Sequence, residues 1–309
     1  MNSNTERTHM IRRIARPRSV FLTIAGLALV FLCAPELMAQ GAKSTSTEKS
    51  HFATLDGTRI HYQSHGKGRE ALVLIHGWTC NLDNWRDQVP DFAKRNRVIA
   101  LDLPGHGKSD KPQVAYTMDL FATAIDTVMK DAKVERAVLM GHSMGTPVAR
   151  EFYRKYPQKT LAIVIVDGGL RLFGDKQMRD NFLTMFRGPN HKESAVKMFA
   201  AMAGPQLPAE AQERIRTSFL NTPQYVLVSA MEEMNAASLY EPDKINVPVL
   251  AILAKSPFWP SDTELFLRSL APKLEFHMWE GAGHFLMMER PKQFNDAVIS
   301  FLNQNSLLK

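Results

Sequence analysis

The sequence predicts a doubly wound α/β fold. Two observations carry this: short unbroken apolar runs alternate with segments of helical spacing, and most of those runs end at a polar residue or a glycine. Runs apolar throughout suit strands buried on both faces, as in a parallel sheet. Strand-helix alternation selects the layered α/β architecture.

Residues 51–62 come first and read as a β-hairpin turned at Asp56-Gly57, a pair that readily supplies positive φ. Apolar runs follow at 71–75, ending in His76-Gly77, at 98–101, ending in Asp102, and at 137–140, ending in Gly141. Further runs lie at 161–166, ending in Asp167, at 247–253 and at 274–279. Residues 118–130 and 146–156 have helical spacing, and Pro291 opens a last helix with Phe294, Val298 and Phe301 or Leu302 on one face. In sheets of this kind ligands bind beyond the carboxyl ends of the strands, where these polar residues fall.

One stretch breaks the rhythm. About 80 residues between Asp167 and Val247 contain no clear strand but many Phe and Met, among them Phe173, Met178, Phe182, Phe186, Phe199, Phe219 and Met231. Pro205 and Pro208 interrupt it. This predicts a helical cap inserted at about 168–246, with most of these side chains in ordinary core and a few forming an adaptable apolar wall toward a ligand.

Composition narrows the function. The 309 residues carry a net charge of +7, and the first 39 residues account for +3 of it through five Arg and two Glu. The remainder is modestly basic, with no basic run interleaved with aromatics, which argues against nucleic-acid binding. There is no CxxC or HExxH, so no metal is expected. Arg12, Arg13, Arg16 and Arg18 precede an apolar run at 20–32 that is short for a membrane span. The pattern predicts a signal peptide over 1–39, cleaved after Ala39, a single mature domain over 40–309, and a periplasmic or secreted product without stable membrane insertion. An uncleaved anchor is the alternative. Cys33 falls in that segment and leaves Cys80 alone, a small buried hydrophobe by expectation.

The chemistry concentrates in Gly141-His142-Ser143-Met144-Gly145, between an apolar strand and a helix. A sharp strand-to-helix turn exposes a strained serine, and flanking glycines relieve the crowding. A serine hydroxyl needs a base to remove its proton. His284, in Gly281-Ala282-Gly283-His284-Phe285, lies after the last strand and before the last helix and is the candidate. His76, His106 and His142 read as hydrogen-bonded structural residues.

From about His51 to Leu302 the chain resembles the α/β-hydrolase superfamily in its capped, single-domain form. The resemblance rests on His76-Gly77-Trp78, on Asp102-Leu103-Pro104-Gly105-His106-Gly107-Lys108-Ser109, on the serine elbow and on the late histidine, in that order. It implies an oxyanion hole from the main-chain N–H groups of Trp78 and Met144, and a triad acid after the 247–253 strand. That position holds Ala254-Lys255-Ser256-Pro257, with no Asp. Asp167, where some relatives carry the acid, is the main candidate; Asp262, or a water or no acid at all, remains open. Trp85, Phe258 and Trp259 are candidate pocket residues or core.

The resemblance implies a serine hydrolase acting without a cofactor on a small or medium ester or lactone with an apolar part. The nucleophile argues against haloalkane dehalogenases and epoxide hydrolases, which use Asp on this fold. Carbon–carbon bond or amide hydrolysis, acyl transfer, and slow-turnover ligand reception are the alternatives, and oligomeric state is left open.

Overall fold

The computed structural model describes residues 50–308. The expected signal segment and its cleavage site lie outside the described residues. The hairpin strands β1 (Ser50–Leu55) and β2 (Thr58–His65) join at Asp56 and Gly57, both with positive φ. After β3 (Glu70–Ile75) come the one-turn helix α1 (Val89–Phe92), β4 (Arg97–Leu101) and α2 (Met118–Asp131), capped by the Thr117 side chain. Strand β5 (Arg136–His142) turns directly into α3 (Gly145–Lys155), and β6 (Thr160–Val166) follows. Four helices then replace any strand: α4 (Lys176–Arg187), α5 (His191–Met202), α6 (Ala209–Leu220) and α7 (Gln224–Met234). The chain returns through β7 (Val249–Ala254), α8 (Thr263–Leu270) and β8 (Leu274–Trp279), and ends in α9 (Leu286–Glu289) and α10 (Pro291–Gln304). Helix α8 has no counterpart in the sequence reading. It is two turns long, too short for a convincing periodicity, and buries only Thr263, Leu267 and Leu270.

The sheet runs β1-β2-β4-β3-β5-β6-β7-β8. Among the described residues only the β1/β2 and β2/β4 pairs are antiparallel; the pairs from β4 through β8 are parallel. Strands β3, β5 and β7 are buried on both faces, as their unbroken apolar runs require. Val73, Ile75, Leu139 and Leu253 enter one core, and Leu72, Leu74, Met140 and Ile252 the other. The first core lies against α2, α3 and the cap helices, the second against α1, α10 and the cap helix α6. Strand order reverses beside β3, where β4 lies on one side and β5 on the other. That switch point opens a crevice beyond the carboxyl ends of β3 and β5. Among the described residues no helix is long and apolar enough to cross a membrane.

The loop after β4 is organised by one buried carboxylate. Asp102 accepts N–H groups from Leu82 and Lys108 at 2.8 Å each and the Nδ1 of His61 at 2.7 Å. A Cβ at Gly107 would lie 2.2 Å from this carboxyl carbon, so the loop closes only with glycine there. Burial opposes the charged form of Asp102, but His61 and the surrounding donors hold its pKa below the usual range.

Three histidines are buried near the crevice. His76 and His106 have ring centroids 5.1 Å apart, and His142 meets Trp85 edge-on. His76 Nε2 accepts the Leu103 N–H at 3.0 Å, which requires a neutral ring. Burial lowers the pKa of all three, to about 3 for His106. In the unfolded chain each binds a proton near pH 6.5. Below that pH the unfolded state therefore holds more protons than the folded one, and stability must fall. Urea unfolding between pH 7.5 and 4.5 should show unchanged stability down to about pH 6.5, then a loss of up to about 1.4 kcal/mol per pH unit per histidine.

Candidate active site

Ser143 sits at the tip of a backbone turn that only its glycine neighbours allow. Its φ is +52°, unusual for a residue with a side chain. A Cβ at Gly141 would lie 2.2 Å from the Gly145 carbonyl oxygen, and one at Gly145 would lie 2.5 Å from that of Ile75. A Cβ at Gly168 would meet Thr146 Oγ1 at 2.0 Å and the Ser143 oxygen at 2.8 Å. The bend is pinned by the Ser143 N–H donating to Val166 O at 3.0 Å and by Thr146 Oγ1 donating to Gly141 O at 3.0 Å. Met144 stands at the N-terminus of α3, whose dipole favours negative charge there. Ser143 is half-buried rather than sealed in.

The loop after β3 lies against this elbow. A Cβ at Gly77 would be 3.1 Å from Ser143 Cβ and 3.0 Å from His142 Nδ1. Trp78 and Met144, the expected oxyanion donors, therefore flank Ser143 from two different strand ends. The Trp78 side chain has a further role that the sequence reading missed. Its indole N–H donates to Leu227 O of α7 at 2.9 Å, and its ring meets Phe186 and Phe219 edge-on. It fastens the cap to the β3 loop, consistent with the need of a buried indole N–H for a partner.

Asp167 is the carboxylate against His284. Its Oδ2 lies 2.6 Å from His284 Nδ1, and its Oδ1 accepts the Ala254 N–H at 2.8 Å. It is buried with φ +42°, held at the end of β6 by its N–H donating to Ile252 O. A carboxylate at Nδ1 keeps the proton on that nitrogen and leaves the Nε2 lone pair free to accept one. Asp262 is elsewhere: exposed before α8, it forms a two-pronged ion pair with Arg171 at 2.8 and 3.2 Å.

His284 is anchored through its backbone as well. Its N–H donates to Met202 O at 3.0 Å, and its carbonyl accepts from His142 Nε2 at 2.9 Å. The two rings pack with centroids 4.7 Å apart, so the imidazole lies over the residue preceding Ser143. Burial, and after it the neighbouring His284, keeps His142 neutral. The pairing of His142 with His284 joins positions 142 residues apart, and no spacing in the chain announces it.

The three aromatic pocket candidates diverge. Trp85 takes the core alternative: it is fully buried facing α10, packed on Phe294 and His142, beneath the elbow. Phe258 is 62% exposed and pairs with Phe173, ring centroids 5.6 Å apart, at the start of the cap. Trp259 is partly buried, and its ring would lie 3.6 Å from a Cβ at Gly169, two residues past Asp167. Cys80 is buried, and its thiol pKa is pushed up to about 12 by that burial, which makes it a poor nucleophile. Among the described residues no cluster of His, Cys, Asp and Glu could hold a metal ion.

Comparison with known proteins places this geometry. Residues 70–291 match the alpha/beta hydrolase fold family, and the chain belongs to it. It is 29% identical to a 2-hydroxy-6-oxononadienedioate/2-hydroxy-6-oxononatrienedioate hydrolase of Paraburkholderia phymatum over 80% of this chain and 91% of that one. It is 37% identical to the dihydrolipoyllysine-residue acetyltransferase component of the acetoin cleaving system of Cupriavidus necator, over 37% of this chain. That match spans about a third of the relative's own length, 31%. An enol-lactonase structure from Burkholderia xenovorans superposes with a TM-score of 0.72 at 23% identity, covering 82% of this chain and all of that one.

The two aspartates should separate cleanly in a labelling experiment. Asp167→Asn should slow covalent capture of Ser143 by a fluorophosphonate by about 10⁴-fold. Asp262→Asn, which loses only an exposed ion pair, should stay within about twofold of wild type.

Proposed function

We propose that this hydrolase uses Ser143 as nucleophile, His284 as general base and Asp167 as the orienting acid. Its substrates are small or medium esters or lactones with an apolar part. The observation that carries the reading is the 2.6 Å contact between Asp167 Oδ2 and His284 Nδ1 beside a serine held at positive φ.

In the proposed cycle Ser143 Oγ attacks the carbonyl carbon while His284 Nε2 takes its proton. The carbonyl oxygen becomes an oxyanion facing the N–H groups of Trp78 and Met144, a stabilisation worth about 10²–10³ in turnover per donor. The intermediate collapses as His284 protonates the leaving oxygen, and an acyl-Ser143 ester remains. Water, losing a proton to His284, attacks that ester and frees the acid and the serine. No step draws on a cofactor.

A second reading is supported by the Paraburkholderia relative, which matches along most of both chains and is a hydrolase of a 2-hydroxy-6-oxo dienedioate. The same three residues can cleave a carbon–carbon bond next to a ketone, with a carbon leaving group in place of an oxygen.

Ser143→Ala should abolish both fluorophosphonate labelling and hydrolysis, and persistent labelling would place the nucleophile elsewhere. A panel of p-nitrophenyl esters, lactones, anilides and a 2-hydroxy-6-oxo dienoate then decides the bond. Ester or lactone turnover at least about tenfold above the dienoate in kcat/KM, or about 1.4 kcal/mol of activation free energy, is expected. The reverse order favours carbon–carbon cleavage.

A further inference from the structure

Glu289 is a carboxylate in an otherwise apolar turn, Leu286-Met287-Met288-Glu289, and only 7% exposed. A buried carboxylate is tolerated only with donors around it. Two main-chain amides supply them. Gly283 N–H reaches both carboxylate oxygens at 3.0 and 3.1 Å, and Gly204 N–H reaches Oε1 at 3.2 Å. Gly283 immediately precedes His284, whereas Gly204 lies in the cap, two residues beyond the end of α5.

The two glycines are pressed together so closely that neither tolerates a side chain. A Cβ at Gly204 would fall 2.0 Å from Glu289 Oε2 and 2.4 Å from the Gly283 nitrogen. One at Gly283 would fall 2.2 Å from the Gly204 nitrogen. Beside them the His284 N–H donates to Met202 O. The cap segment 202–204 and the loop 283–284 are thus joined by a short ladder of one main-chain hydrogen bond and one shared carboxylate. The next residue, Arg290, donates to the carbonyls of Glu280 and Gly281 at 2.9 and 2.7 Å. Consecutive side chains of opposite charge grip the amides and the carbonyls of the same loop.

We propose that Glu289 is a positioning residue that ties the His284 loop to cap segment 202–204, so that seating of the cap and alignment of the imidazole are one event. Glu289 touches neither Ser143 nor His284's ring. It fixes the peptide plane between Ala282 and Gly283, the one just before His284's own amide, and the cap shares its carboxylate through Gly204. A shift of about 1 Å in a reacting group can cost about 10²-fold in rate. Loosening the ladder on the cap side therefore carries through to proton transfer at the serine. The proposal rests on Ser143 and His284 acting as assigned above.

The test uses the full protein and a small fluorophosphonate, with the final labelling stoichiometry and the rate per labelled site read separately. Glu289→Gln preserves shape but places an amide NH₂ or a weaker acceptor against the Gly283 N–H. It should label to full stoichiometry, about 10- to 100-fold more slowly, with KM for a small ester within about twofold. Gly204→Ala, a change made only in the cap, should slow labelling comparably, and the double variant should be no slower than the worse single one. Hydrogen exchange on the wild type supplies a measurement that needs no variant: the Gly204 and Gly283 amides should exchange with protection factors within about threefold of each other. Wild-type labelling rate in Glu289→Gln, or reduced stoichiometry at an unchanged rate per site, overturns the positioning role. Normal labelling of Gly204→Ala, or independent exchange of the two amides, overturns the link to the cap. If wild-type Ser143 is not labelled at all, the nucleophile assignment fails instead, and the exchange experiment still judges the ladder.

Discussion

Everything at the site depends on the crowding of main chain around Ser143. The ends of β3, β5 and β6 converge there, and Gly77, Gly141, Gly145 and Gly168 each stand where a Cβ would press on a neighbour. Removing four side chains lets three strand ends approach closely enough for one serine to be lifted above them. The φ of +52° is sustained because the surrounding backbone allows no relaxed alternative. Asp167, also at positive φ, carries the same strain on the adjacent strand. Two strained residues place a hydroxyl and a carboxylate at the carboxyl ends of neighbouring central strands, and a loop brings the His284 imidazole to the carboxylate.

That loop shows a different kind of order. His284 is not strained. It is held by its N–H, its carbonyl and its Nδ1, through Met202, His142 and Asp167 respectively. One anchor comes from the cap, one from the elbow and one from β6. With three polar groups spoken for, Nε2 is the one ring nitrogen left for exchange of a proton. The cap is fastened to the base independently by the Trp78 indole on Leu227 and by the aromatic contacts around Phe186 and Phe219.

Much of this was legible in the order of residues. The strands read correctly because parallel strands covered on both faces cannot contain polar residues, and the runs at 71–75, 98–101 and 161–166 obey that rule. The elbow read correctly because Gly141 and Gly145 bracket Ser143 at a spacing that a turn demands. The nearness of Asp167 to His284 could be offered only as one option among three, since 117 residues separate them. Trp85 was open between pocket and core because a tryptophan after the β3 loop fits a floor as well as a wall, and the packing of Phe294 against it decides. Glu289 went unnoticed because an acid closing the run Leu286 to Met288 and followed by Arg290 reads as an ordinary surface pair. Helix α8 is brief and its register too slight to stand out.

Placing the carboxylate at the end of β6 has a consequence for the loop that follows β7. In the arrangement expected from the family, that loop must keep an acid within reach of the histidine, and its length is constrained accordingly. Here residues 255–260 hold no carboxylate; Lys255 pairs with Glu280, and Phe258 packs on Phe173 at the start of the cap. With no acid to hold against His284, this segment is a natural graft site: its length and side chains can drift while the contact between Asp167 and His284 stays where it is.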